Sequence, residues 1–114
     1  MSSPLDAVPA GVLSLAEDLT ITAANQGMGD IVGRDPATFV GGTLDALLSM
    51  PARILFQTHV YPALKADGRV EEVFLTLAAA GEDGRPTPVL LNAVRRDAMA
   101  GSGYEAVIVR IAVG

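Results

Sequence analysis

Few side chains in this sequence are of a type and spacing that could carry out chemistry. His59 is the single histidine, and the chain has no cysteine, which excludes disulfides, thiolate metal sites and cysteine nucleophiles. No serine stands in a nucleophile-elbow motif, and the acidic residues are scattered over predicted turns and helix ends. The serines are Ser2, Ser3, Ser14, Ser49 and Ser102. Because no catalytic constellation and no metal-ligand cluster is recognisable, we predict that the chain is not an enzyme.

Asn92 is a polar residue in an apolar stretch that includes Leu90, Leu91 and Val94. A buried amide must find hydrogen-bond partners. One interpretation is that Asn92 bonds across to the helical segment, near the backbone of Gln57. The other is that Asn92 anchors a small ligand, with Gln57 and Tyr61 lining the same pocket.

Length and composition indicate one globular domain. The chain has 114 residues, 50% of them apolar, and a mean hydropathy of +0.40. Its formal net charge of −5 argues against binding to a nucleic-acid backbone, which requires clustered Lys and Arg. No apolar stretch is long enough to span a membrane, and the N-terminus lacks a signal-peptide pattern. We therefore expect a cytoplasmic protein that binds neither nucleic acid nor the membrane interior.

The elements that must position these side chains are organised around residues 69–96, which are predicted to form two strands joined by a turn. Apolar residues alternate along both strands, and alternation sends successive side chains to opposite faces of a sheet. Asp83-Gly84 indicates the hairpin turn, because Gly tolerates positive φ. Neither alternating set is polar, so we expect both faces of this sheet to be covered.

The rest of the chain is predicted to supply three more strands and several short helices. Residues 1–10 form an N-terminal arm, and a hairpin follows over residues 11–23. Asn25 caps one short helix and Thr43 another, because their side-chain oxygens accept from free N–H groups of the first helical turn. The last strand covers residues 104–113. Strands, then helices, then strands are typical of an α+β domain with its helices on one face of an antiparallel sheet.

The longest predicted helix covers residues 52–65 and begins after Pro51. We expect Pro62 to kink or end this helix, because proline has no N–H to donate. The predicted inward-facing stripe consists of Ile54, Leu55, Thr58 and Tyr61 or Pro62.

At this point the sequence resembles a known family. Residues 11–25 are similar to the opening hairpin of a PAS domain, and residues 31–36 and 39–48 resemble the segments that follow it. Residues 81–86 stand where PAS domains carry a glycine-containing turn between their third and fourth strands. The likeness covers nearly the whole chain, which we divide into the N-terminal arm and a PAS domain over residues 11–114.

The resemblance implies a five-stranded antiparallel sheet in the spatial order 2-1-5-4-3, with short helices covering one face. Residues 52–65 and 89–94 are similar to bacterial PAS domains that precede serine phosphatases, histidine kinases or diguanylate cyclases. By resemblance, the chain is a bacterial cytoplasmic sensory or dimerisation module. It is expected to pass a ligand or partner signal to an output domain of one of these types, which this chain does not contain.

Alternation and the resemblance together predict a pocket for a small apolar ligand on the helix-covered face of the sheet. The candidate pocket residues are Leu75, Leu77, Leu90, Asn92, Val94, Val109, Ile111, Gln57 and Tyr61. The opposite face is predicted to carry an apolar patch, covered by the N-terminal arm and by a second copy in a twofold dimer. The candidate patch residues are Leu5, Val8, Phe74, Val89, Leu91 and Ile108.

No cofactor is predicted, and three alternatives follow from individual residues or from the fold class. Some PAS domains bind haem through a histidine on the long helix, which makes His59 the candidate haem ligand, although those domains place the ligand about one turn earlier. Flavin is not expected, because flavin-binding PAS domains use a reactive cysteine. A small cone-shaped α+β isomerase would need a pocket carboxylate with a raised pKa, and the predicted pocket face has none.

Overall fold

In the computed structural model, which describes residues 10–78, 85–98 and 101–111, five strands pair into one antiparallel sheet. The strands are β1 (Ala10–Ala16), β2 (Ile21–Ala24), β3 (Arg69–Leu77), β4 (Thr87–Ala98) and β5 (Gly101–Arg110). Their spatial order is β2-β1-β5-β4-β3, so the last strand lies at the centre of the sheet. This architecture confirms the predicted fold. The predicted arm residues Leu5 and Val8 lie outside the described residues.

The helical segments lie between β2 and β3 in the chain and cover one face of the sheet. They are α1 (Gln26–Val32), two 3-10 turns (Pro36–Thr38 and Leu44–Leu47), α2 (Met50–Leu55), a π-helical turn (Phe56–Val60) and α3 (Tyr61–Asp67). Asn25 caps α1 as predicted, since its Oδ1 accepts from the backbone N–H of Met28 at 2.9 Å. Among the described residues, no helix is both long enough and apolar enough to cross a membrane.

The long helical segment differs from the predicted continuous helix. Tyr61 N–H donates to the carbonyl of Phe56, five residues back, and Pro62 then falls within the first turn of α3, where a missing N–H is tolerated. The predicted inward stripe is wrong, because Ile54, Leu55 and Thr58 are exposed. The buried side chains instead recur every four residues: Ala52, Phe56, Val60 and Leu64. Because residues 54–56 are all apolar, the helical periodicity is compatible with more than one buried face.

The two faces of the sheet carry different residues from those predicted for β4 and β5. The inner face, which the helices cover, consists of Leu75, Leu77, Val89, Leu91, Ala93, Tyr104, Ala106 and Ile108, all buried. The outer face consists of Ala10, Val12, Ser14, Phe74, Leu90, Asn92, Val94, Glu105, Val107 and Val109. Leu75, Leu77 and Phe74 therefore lie on the predicted faces.

The remaining face assignments are corrected by the strand register. Leu75 pairs with Val89, and Leu91 pairs with Ile108, so these side chains share the inner face. Leu90, Asn92, Val94 and Val109, predicted for the pocket, lie on the outer face. Val89, Leu91 and Ile108, predicted for the outer patch, are each 1% exposed in the core. A slip of one residue moves every side chain of a strand to the other face, and two apolar sets cannot reveal such a slip.

A β-bulge in β3 changes the register next to β4. The pairing shifts between Val70 and Val73, and Glu72 adopts a left-handed backbone conformation with φ 52°. The N–H of Glu72 donates to Oδ1 of Asn92 at 3.0 Å. Asn92 therefore pairs within the protein, but its partner is the bulge of β3 and not the backbone near Gln57.

Candidate functional site

The candidate pocket residues are not brought together in one place. Leu75 and Leu77 are part of the packed core under the helices. Leu90, Asn92, Val94 and Val109 lie on the other side of the sheet. Ile111 follows β5 and lines an open cleft beside the end of α1. A single pocket made of all these residues is therefore incompatible with the register, and their role in ligand binding stays a prediction.

Tyr61 is half-buried and belongs to a cluster of rings and charges at one end of the domain. Its hydroxyl donates to the carbonyl of Glu17 at 2.5 Å, and its ring stacks on Phe56 with centroids 6.4 Å apart. Burial raises the pKa of Tyr61, and the neighbouring phenol of Tyr104 acts in the same direction. Arg95 lies over the Tyr104 ring and forms an ion pair with Glu17 at 3.0 Å. The Tyr61 hydroxyl thus fastens α3 to the turn after β1.

Gln57 is exposed and serves a similar structural role. Its Nε2 donates to a carboxylate oxygen of Asp45 at 2.7 Å, and Nε of Arg53 donates to the Asp45 carbonyl at 3.1 Å. The hydroxyl of Thr43 hydrogen-bonds the Asp45 carboxylate and lowers its pKa, and Gln57 and Arg53 add to this effect. These contacts join the second 3-10 turn to α2 and the π-helical turn.

His59 is exposed and does not lie on the buried side of its helical segment, which is formed by Phe56 and Val60. Its Nδ1 is 2.8 Å from the hydroxyl of Thr58, which also donates to the carbonyl of Ile54. Within the described ranges, no group of three His, Asp or Glu residues is placed to hold a metal ion. The geometry therefore does not direct the imidazole toward the inner face, as haem ligation there would require.

A small apolar recess lies between α2 and the edge strand β3. Its volume is about 170 Å³. The lining residues are Pro51, Ala52, Leu55, Phe74, Leu75 and Thr76. The hydroxyl of Ser49 caps α2 and hydrogen-bonds the Thr76 hydroxyl, which holds the helix against the strand. The sequence did not predict this recess, because Leu55 was assigned to the inward-facing stripe of the helix and not to the side near Phe74.

The outer face exposes a broad apolar surface. Its most exposed large side chains are Val12, Phe74, Val94 and Val107, at 38–57% of their full area. Phe74, Leu90, Val109 and Ala10 form one row across the strands. Among the residues the structure describes, nothing covers these side chains. The sequence predicted an apolar outer patch, and among the predicted members that the structure describes, Phe74 lies in it.

The next rows of the outer face contain a depression and a polar cluster. The depression has a volume of about 210 Å³ and lies beside the β3 bulge. Its lining residues are Arg69, Val70, Glu71, Asn92, Ala93, Val94, Glu105 and Val107. Glu105 accepts from the hydroxyl of Ser14 at 2.9 Å and forms an ion pair with Arg96. The exposed apolar rows therefore end at a pair of charges that neutralise each other.

Comparisons with known proteins agree with this geometry. The family model described as the PAS fold matches residues 5–112. The phosphoserine phosphatase RsbP of Bacillus subtilis (strain 168) is 32% identical over 109 residues, which span 96% of this chain but 27% of that protein.

Solved structures show the same fold at low sequence identity. The PAS domain of a Colwellia psychrerythraea protein matches with a TM-score of 0.77 and 15% identity, covering 93% of this chain and 89% of that one. The PAS domain, in complex with ethanol, of a LuxR-family transcriptional regulator from Burkholderia thailandensis matches with a TM-score of 0.73 and 14% identity, covering 98% and 100%. Strand order, helical cover and the family match together lead to one conclusion: this chain belongs to the PAS family, whose domains are sensory modules of signalling proteins.

Proposed function

We propose that this chain is a bacterial, cytoplasmic PAS sensory module that dimerises through the outer face of its sheet and passes a signal to an output domain. The observation that carries the proposal is the outer face, where four large apolar side chains are more than a third exposed. Monomeric proteins rarely leave a contiguous apolar patch of this kind uncovered. A second copy covers the patch in a twofold dimer, because the same surface of both copies meets across a twofold axis.

The output domain is proposed from the curated relative. RsbP is named a phosphoserine phosphatase, and this chain matches about a quarter of it. We therefore favour a phosphatase output over a histidine kinase or a diguanylate cyclase. The signal leaves through β5, which lies at the centre of the sheet and pairs with both β1 and β4.

The apolar recess between α2 and β3 is the proposed site for a small apolar signal molecule. The related domain from Burkholderia thailandensis was solved in complex with ethanol, a molecule small enough for a recess of about 170 Å³. Phe74 lines this recess and also belongs to the outer face. A ligand that holds Phe74 in one orientation favours the dimer arrangement compatible with that orientation, because a ligand shifts an equilibrium by its differential affinity for the two states.

The dimer is tested by light scattering coupled to gel filtration. We expect twice the chain mass of 11.7 kDa at micromolar concentrations. Val107→Glu places a charge within the outer face and should give a folded monomer. Met50→Glu, at an exposed position on α2 and away from the outer face, should leave the dimer unchanged. A wild-type chain that remains monomeric at high micromolar concentration excludes the dimer.

The ligand site is tested by titrating ethanol into the labelled protein and recording amide shifts by NMR. We expect saturable shifts to cluster at Ala52, Leu55 and Leu75, which line the recess. Leu55→Trp fills the recess and should abolish these shifts. Ile54→Trp, one residue away and exposed, is the matched control and should preserve them. Small shifts spread over the whole surface count against the recess.

A further inference from the structure

We propose that the two copies of the dimer interlock, with Phe74 of each copy entering the outer-face depression of the other. This proposal rests on the dimer argued above and specifies how its two surfaces meet. Phe74 is the anchor, and the depression beside the β3 bulge is the socket; both lie on the outer face of the same chain. A contact of this kind is self-complementary, so it is made twice across a twofold axis.

Phe74 has the properties of an interface anchor. It is 57% exposed although it is a large aromatic residue, and it stands on β3, the edge strand of the sheet. Its cross-strand neighbour Leu90 holds it in a row of apolar side chains. Aromatic side chains in desolvated pockets carry much of the binding energy in protein interfaces.

The depression has the size and the floor that an aromatic ring requires. Its volume is about 210 Å³, and a cavity of about 150 Å³ is already large enough for benzene. Val94 and Val107 supply an apolar floor, and the bulge of β3 raises one wall at Arg69 and Glu71. A ring inserted here covers Val94, and the contact between the two faces also removes Val107 from water.

In the strand register, Phe74 and the socket lie on opposite sides of one row of side chains, at equal distances from it. The row of Phe74, Leu90 and Val109 lies on one side of the row of Asn92, Val107 and Val12. The row of Arg69, Val94 and Glu105 lies on the other side. A twofold axis along the middle row therefore sets the Phe74 row of each copy against the Val94 row of its partner. Each strand then faces the same strand of the other copy, so Phe74 lies over Arg69 with Val94 on the neighbouring strand.

The charged groups near the socket do not oppose this packing. Glu105 is neutralised within its own chain by Arg96 and the hydroxyl of Ser14, and Arg69 lies 3.7 Å from Glu71. When the partner's apolar row covers them, each charge keeps an opposite charge beside it, so no unpaired charge is buried.

A size-exchange experiment tests the interlock. The dimer dissociation constant is measured by sedimentation equilibrium for the wild type, Phe74→Ala, Val94→Trp and the double variant. Phe74→Ala empties the socket and Val94→Trp collides with the ring, so each should raise the constant at least tenfold. In the double variant, the indole introduced at position 94 fills the space that the missing ring leaves, and the constant should return to within about threefold of wild type. Met50→Ala is the control for loss of an exposed apolar side chain.

The outcomes separate this proposal from the dimer itself. Rescue in the double variant supports the interlock. If the wild type is a dimer and the double variant shows the product of the two single increases in dissociation constant, the interlock is overturned but the dimer is not. A wild-type monomer overturns both. Circular dichroism spectra of all variants verify that the fold is intact.

A cross-linking measurement checks the position of the axis independently. Because the chain has no cysteine, Val107→Cys introduces a single thiol on the middle row. Face-to-face sheets lie about 10 Å apart, which is too far for a disulfide but within the reach of a short bis-maleimide. We expect efficient cross-linking of Val107→Cys and none of Met50→Cys, whereas the opposite pattern overturns the proposed axis.

Discussion

The inner and outer faces of this sheet are built from similar side chains but differ in what covers them. Leu91 is 1% exposed beneath the helices, while the adjacent Leu90 points to the other side and is only half-buried. Ile108 and Val107 show the same contrast on the central strand. Apolar character alone therefore does not assign a side chain to the core. The assignment follows from which face the helical segments contact.

The largest expected effect separates the two faces directly. Leu91→Ala removes a fully buried side chain and should lower the free energy of unfolding by about 2–5 kcal/mol, because it leaves a cavity in a packed core. Leu90→Ala, the matched neighbour on the outer face, should cost about 1 kcal/mol or less in the monomer. Urea unfolding of both variants in a monomeric Val107→Glu background measures the difference. Equal losses contradict the register.

One local feature of this fold, the cap of α1, was predictable from the sequence, whereas the side-chain cap predicted at Thr43 does not form. Features that depend on distant segments were not predictable. The cap of α1 by Asn25 is visible in the sequence because it involves only the next helical turn. The strand order followed from the resemblance of ordered motifs to the PAS family. The pairing of Leu75 with Val89 depends on the conformation of the connection between β3 and β4, and both alternating sets of β4 are apolar. Hydrophobic alternation therefore left the face of β4 undetermined.

The candidate site shows the same limit. The partner of Asn92 is a backbone N–H exposed by the bulge at Glu72, and no glycine or other turn residue marks that bulge in the sequence. The recess beside Leu55 depends on the rotation of α2, which the apolar run at 54–56 did not specify. Phe74 was correctly predicted on the outer face, because in β3 the side chains of Leu75 and Leu77 face the helices and that of Phe74 faces away.

The second expected effect concerns the hydrogen bond that joins the bulge to the outer face. Asn92→Ala removes the acceptor for the Glu72 N–H and should lower the free energy of unfolding by about 1 kcal/mol. Hydrogen exchange of the Glu72 amide should become faster than the global change in stability explains. The amide of Leu90, which faces β5 in the regular part of the ladder, should follow the global change only. Unchanged exchange at Glu72 contradicts this role of Asn92.

A smaller, pH-dependent effect concerns the cover over the inner face. Hydrogen bonds from Thr43 and Gln57 lower the pKa of Asp45 below its ordinary value of 3.8. The carboxylate therefore stabilises the fold above that value, and this contribution is lost as the pH falls through the lowered pKa. Asp45→Asn should cost about 0.5 kcal/mol at pH 7, since the group is only partly buried.

Unfolding measured from pH 7 down to pH 2 tests this linkage. The stabilities of the wild type and Asp45→Asn should converge at the acid end, because both side chains are then uncharged. Gln57→Ala removes one of the hydrogen-bond donors to the Asp45 carboxylate. In that background, Asp45→Asn should change the free energy of unfolding by a smaller amount. A difference that stays constant with pH contradicts the proposed role of the carboxylate.

The smallest expected effect tests whether the bulge stores strain on the outer side of the sheet. Glu72 has a positive φ, which costs a residue with a Cβ about 1–2 kcal/mol. Glu72→Gly removes this cost but gives the unfolded chain more freedom, so the net change should be a gain of only a few tenths of a kcal/mol. Glu71→Gly, the adjacent position without a positive φ, has no strain to relieve and should lose about 0.5–1 kcal/mol. Opposite signs at these two neighbouring positions, measured by urea unfolding, locate the strain at Glu72. Equal losses show that Glu72 is unstrained and that the register shift in β3 is accommodated by the backbone at no cost.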